Sequence, residues 1–188
     1  MDTTLEDDST LVIDFHAKIN QETVGRFRNF TSDLIKKHSP KVMYLALSSG
    51  GGENNSAFVL YNFLLSLDLK LMTHCTGVVD SCAVSIFLAG EIRYTNPTSR
   101  FIIHAPTWTF KAETKLGSAK LKEYVQMMDW DQQAHETIIS SRTTASLEQV
   151  SEWHHPGKVL TAEDSLTHGF VNEIRQFIRP KRFFRFSD

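Results

Sequence analysis

The stretch GVVDSCAVSIFLAG (77–90), continued by EIRYTNPTSRFIIHAP (91–106), decides how the chain is read. It places Ser81 at the head of an apolar helical run and His104 at the end of a strand-like run. A hydroxyl and an imidazole delivered this way form a candidate nucleophile and base. Upstream, Ser48-Ser49-Gly50-Gly51-Gly52 follows the strand-like Val42–Leu47 and precedes a helical pattern, so backbone amides of that loop suit an oxyanion site. Three parts of an acyl-transfer centre therefore occur in chain order.

Outward from this stretch, strands and helices alternate. Leu11–Phe15 reads as a strand, and Asn20 suits the cap of a helix to about Lys37 with Val24, Phe27, Leu34 and Ile35 on one side. Val42–Leu47 is a second strand, followed by a helix from Asn54 to Leu67 whose Ala57, Leu60, Phe63, Leu64 and Leu67 recur at helical spacing. Leu71–Gly77 is a third strand and Arg100–His104 a fourth. This order predicts an α/β fold with parallel pairing and crossover helices over the sheet. A long helix spans Lys115–Ser141, with Leu121, Tyr124, Val125, Met128, Ala134, Ile138 and Ile139 as its apolar stripe. Ser146 with Gln149 marks a short helix ending near Trp153, and Thr161 caps another that Gly169 ends. Trp153–Gly157 is expected as a loop between these two helices.

A chain of 188 residues fits one domain with a two-layer core. It has no long apolar run and no secretory leader, so a cytoplasmic protein without a membrane segment is expected. Two cysteines, Cys75 and Cys82, imply reduced thiols and no disulfide framework. A formal net charge of −2 gives no pull toward nucleic acid. Residues 1–9 read as a disordered acidic lead. Residues 175–188 alternate basic and phenylalanine residues, a tail expected to pack its rings on a neighbouring subunit rather than to stack single-stranded nucleic acid. Neither a cofactor nor a metal is expected; His154-His155, with no cysteine nearby, does not make a zinc site.

The SSGGGE loop, Gly77-Val78-Val79-Asp80-Ser81 and Ile103-His104-Ala105-Pro106 together resemble the proteolytic subunit of the Clp protease family. Gly51 and Ser81 lie 30 positions apart (81 − 51), as in that family; Ser81 and His104 lie 23 apart (104 − 81), about two fewer, placing a deletion in the Gly90–Asn96 turn. The resemblance runs from Thr10 to Ile174 and implies the superhelical β-β-α fold shared with the crotonases, the long helix serving as a handle between rings. It implies a serine endopeptidase acting on peptides or unfolded proteins, with Ser81 as nucleophile, His104 as base and the Gly51 and Cys82 amides as oxyanion hole. It also implies self-association into a ring or stacked rings. Crotonase-type acyl-CoA chemistry commonly uses glutamates where this chain has Ser81. The family's axial loop and helix ahead of the first strand, used for ATPase docking, have no counterpart in the ten residues before Leu11, so the resemblance does not carry a Clp ATPase partner over to this chain.

The resemblance breaks at the third catalytic residue. The family places an aspartate shortly before a Leu-Ser/Thr-Ala element, here Leu160-Thr161-Ala162, and counting back reaches Gly157. Substitutes within reach of the sequence are His154 and His155, Glu152, or Asp129 and Asp131 of the long helix. An alternative reading is a weak or inactive subunit that serves assembly.

Overall fold

The computed structural model describes Leu5, residues 7–110 and residues 115–188. The first strand, β1 (Thr10–His16), leads to α1 (Gln21–His38), whose N-cap Asn20 accepts the Thr23 amide at 2.8 Å. β2 (Val42–Ser49) follows, then α2 (Asn54–Leu65). Buried on both faces for most of its length, β2 reads as a continuous apolar run because helices cover a central parallel strand on either side. β3 (Lys70–Asp80) pairs with β2, with a register shift between Leu47 and Ser49. The irregularity carries the strand past Gly77, where the sequence pattern ends it, and brings Ser81 to its tip. At Gly77 a Cβ would stand 3.0 Å from Ser48 Oγ, so a larger residue there needs Ser48 to give way.

The remaining elements are α3 (Ala83–Leu88), β4 (Ile92–Thr95), β5 (Arg100–Ile103), α4 (Ser118–Arg142), α5 (Leu147–His154), β6 (Lys158–Leu160), α6 (Ala162–Thr167), β7 (Glu173–Ile174) and β8 (Phe184–Ser187). The sheet runs β6-β5-β3-β2-β1-β8, with β4 joining β3 to β7. Its pairs are parallel except β5 with β6. Several expectations change here. The segment after Trp153 does not run as a loop from helix to helix: α5 reaches His154, and residues 155–157 lead into β6, which lies antiparallel to β5, the strand just before His104. Three residues are too short for a period-2 signal to emerge. The tail does not wait for a neighbouring subunit; β8 pairs with β1 of its own chain, and Phe186 stacks on Phe15 at 5.4 Å between centroids and meets Phe27 edge-on at 5.1 Å. The acidic lead is in part ordered: Leu5 is buried beside Val12, Tyr44, Met72 and Tyr94, and Asp8 meets Arg182 at 3.3 Å. Met1–Thr4 and Glu6 lie outside the described residues.

The short helix α3 is buried at every position and is held by two arginines at its C-terminal end. Arg142 donates to the carbonyls of Leu88 and Ala89 at 2.9 Å each, while Arg93 reaches Gly90 at 3.0 Å and Phe170 at 2.7 Å. Cations there complement the negative helix end and satisfy carbonyls left without helical partners. The long helix α4 is covered only in its second half, where His135, Glu136 and Ile139 are buried. Among the described residues no helix is long and apolar enough to cross a membrane.

Two histidines in this core are kept neutral. Burial pushes His74 down to about 4, and Tyr44 Oη bonds its Nδ1 at 2.6 Å while Asn96 Oδ1 takes its Nε2 at 3.0 Å. Burial likewise pushes His135 down to about 3. The unfolded chain takes a proton on each near the ordinary histidine value, so stability held above about pH 6.5 is lost as pH falls toward 4, on the order of 3 kcal/mol for His74 alone. Urea midpoints should therefore drop between pH 7 and pH 5, and His74→Gln should flatten that dependence while lowering stability at pH 7.

Candidate active site

Ser81 follows β3 directly and precedes α3 with φ +57, a left-handed conformation that a serine rarely adopts. Its amide donates to the Ile102 carbonyl at 2.7 Å and its carbonyl accepts from Val84 at 3.0 Å, fixing the turn between strand and helix. Such a strained strand–turn–helix corner lifts a hydroxyl away from the core. The glycine loop presses against it. A Cβ on Gly51 would lie 2.8 Å from Ser81 Cβ and 2.7 Å from the Asp80 carbonyl, and one on Gly52 would collide with the Ile19 carbonyl. Both glycines have positive φ, +83 and +154, so this approach admits no other residue without strain. The loop is tied down by Ile19, which donates to the Gly51 carbonyl at 3.0 Å and accepts from Glu53 at 2.9 Å.

The amides around Ser81 divide differently from the sequence expectation. The Gly51 N–H donates to Ser49 Oγ at 3.2 Å. Neither the Gly52 N–H nor the Cys82 N–H has a hydrogen-bonded oxygen acceptor among the described residues.

His104 follows the last residue of β5, and Asp80 is paired with Ile102 across β3 and β5. Ser81 and His104 are thus on adjacent strand ends, although no hydrogen bond joins them among the described residues. The His104 Nδ1 bonds the Ala105 carbonyl at 2.8 Å. A carbonyl only accepts, so Nδ1 carries the proton and Nε2 keeps its lone pair.

On the other side of His104 stands Gly157. A Cβ there would lie 3.7 Å from His104 Cβ, so the position suits a residue that addresses the imidazole, yet its φ of +119 is one that L side chains avoid. Neither sequence-designated substitute reaches His104. His154 is buried, its Nδ1 donating to the Val150 carbonyl at 2.9 Å and its Nε2 accepting from His135 Nδ1 at 3.2 Å. His155 is exposed, as are Glu152 and Asp129. Asp131 instead accepts from Asn54 Nδ2 at 3.1 Å, beside a cavity of about 550 Å³ lined by Gly52, Glu53, Pro106, Trp108, Met128 and Asp131. This cleft opens between the glycine loop and the segment after His104. His135, which the sequence did not single out, has its Nε2 buried without a partner among the described residues. No pattern in the sequence marks it, since it sits on a helix face whose burial depends on α5. Among the described residues no group of metal-ligating side chains is present.

Residues 9–177 match the Clp protease family. The chain belongs to this family. It is 26% identical over 144 residues to the ATP-dependent Clp protease proteolytic subunit 1 of Corynebacterium glutamicum, an alignment covering 73% of this chain and 66% of that protein, just under two thirds of its length. Its fold resembles a solved ClpP1 point mutant from Listeria monocytogenes with a TM-score of 0.77 and 21% identity, covering 93% of this chain and 95% of that one. At that identity the structural likeness establishes the Clp fold, in agreement with the β-β-α architecture and handle helix expected from the sequence.

Within a Clp-type site Cys82 is a packing residue. It is buried, and desolvation pushes its thiol up to about 12, so it carries no thiolate near neutrality. Iodoacetamide at pH 8 should leave Cys82 and Cys75 unmodified in the folded chain and alkylate both in urea, as read by mass spectrometry.

Proposed function

We propose that the chain is a serine-type endopeptidase of the Clp proteolytic kind, cleaving peptide bonds through an acyl-enzyme on Ser81. The observation that supports it most is the strained Ser81 corner with the glycine loop packed against it, since backbone strain at a hydroxyl is maintained only where the surroundings over-determine it. Ser81 Oγ attacks the substrate carbonyl as its proton passes to His104 Nε2. The carbonyl oxygen becomes an oxyanion facing the Cys82 amide and an amide of the glycine loop. Gly51 was the expected donor; with its N–H turned to Ser49, we assign that role to Gly52. Collapse breaks the C–N bond, the amine leaves with the proton from His104, and water then hydrolyses the ester by the reverse proton path.

The Gly157 position weakens this machine rather than removing it. Losing the aspartate of a Ser-His-Asp triad costs about 10⁴ in turnover. Its orienting role is covered here by the Ala105 carbonyl, which holds the tautomer the reaction needs. A second reading, a catalytically silent subunit that acts in assembly, is favoured by the absence of a Ser81–His104 hydrogen bond among the described residues. Labelling with a fluorophosphonate separates the two. The peptidase reading expects an adduct on Ser81 that disappears in Ser81→Ala and His104→Ala with circular dichroism unchanged; no adduct on the native chain would leave the silent reading. In the active case Gly157→Asp should raise kcat at least about tenfold out of that 10⁴, while the backbone strain costs about 1–3 kcal/mol of stability. His155→Ala should leave kcat unchanged.

We infer self-association as well. Leu121 and Val125, one turn apart on the same face of α4, are 47% and 56% exposed, apolar positions left uncovered by the chain itself. Light scattering at micromolar concentration should return a mass several times 21.4 kDa, and Leu121→Glu with Val125→Glu should reduce it toward that of one chain.

A further inference from the structure

We propose that Asp80 is a positioning residue for His104, supplying the negative charge that the family's aspartate would have supplied from position 157. The inference rests on the reading of His104 as the base. A triad carboxylate does two things: it fixes the imidazole tautomer, and it stabilises the imidazolium formed when the nucleophile is deprotonated. The Ala105 carbonyl performs the first, but as a neutral acceptor it does little for the second.

Sheet register brings Asp80 to the same face as the base. Asp80 is paired with Ile102 in the parallel β3–β5 ladder, while Val79, Phe101 and Ile103 turn into the core. By the two-residue alternation of strands, Asp80, Ile102 and His104 share the opposite face. Gly157 flanks that face from β6 and Asp80 from β3, so the carboxylate stands on the side of His104 away from the vacated position. Its side chain is only 14% exposed. Oδ2 meets Arg100 Nη2 at 3.2 Å, but Oδ1 is buried with no hydrogen-bond partner among the described residues. A carboxylate oxygen in that condition is costly, and a cation arising beside it relieves the cost.

The other groups around His104 do not supply this charge. Arg100, on β5 itself, is a cation. His135 from α4 and His154 from α5 are both kept neutral chiefly by burial. Glu136 of α4 lies with Oε1 at 3.5 Å from His154 Nδ1 and accepts from Gln132 at 2.8 Å, so it is directed to His154. His155 is exposed. Burial raises the Asp80 carboxyl while Arg100 and then His104 lower it, in keeping with the face that the register gives it.

The test is an NMR titration of the His104 ring in the full chain, with peptide turnover measured alongside. Asp80→Asn should move the His104 midpoint to lower pH and reduce kcat about tenfold with KM nearly constant. Arg100→Gln breaks the same ion pair but leaves the carboxylate, so it should move the midpoint up and not reduce kcat. Asp80→Glu should preserve most of the native midpoint, which guards against a purely structural effect of the substitution. A His104 midpoint that is the same in the native chain and Asp80→Asn overturns the proposal, even if Ser81 takes a fluorophosphonate normally. A native chain that takes no fluorophosphonate sinks the peptidase reading instead, and the titration still decides whether Asp80 acts on His104.

Discussion

Two stretches of backbone lie closer together in this protein than any side chain would allow, and the site depends on that contact. Gly51 and Gly52 press between the Ile19 carbonyl and the turn that holds Ser81. Neither surface forms the contact alone. The loop is fixed by hydrogen bonds to the β1–α1 connection, and the Ser81 turn by a bond to the next strand, Ile102. Because α3 is held at its far end by Arg93 and Arg142, the strain at Ser81 cannot relax by letting the helix swing away.

Gly157, beside His104, takes a backbone conformation that few side chains accept. The functions of a single aspartate are then divided between neighbours, a carbonyl at Ala105 for direction and a carboxylate at Asp80 for charge. The two functions need not come from one group; only their sum at the imidazole matters.

Much of this was legible in the sequence. Apolar runs and their spacing mark β1, β2, α1 and α2 because central strands buried on both faces and helices covering them carry strong periodic signals. The N-caps at Asn20, Ser146 and Thr161 are local, side chain to nearby amide, and so are readable from a few residues. Ser81 and His104 are marked as candidates by the Gly77-Val78-Val79-Asp80-Ser81 and Ile103-His104-Ala105-Pro106 stretches, each short enough to read locally.

What the sequence left open was decided by contacts between distant segments. β6 and β8 have too few residues to announce themselves and exist because β5 and β1 offer unpaired edges; once β8 forms, Phe186 is drawn into the core rather than onto another chain. The choice between the Gly51 and Gly52 amides depends on peptide orientation, which the identity of a glycine does not encode. His154, three residues before Gly157, is turned away by its bonds to Val150 and His135, while Asp80, far from Gly157 in sequence, is brought to the His104 face by strand register. The sequence by itself determined which residues are chemically able to act and where the longer, strongly periodic strands and helices lie; the tertiary structure alone decided which of them meet, because strand pairing joins residues by register and not by their separation along the chain.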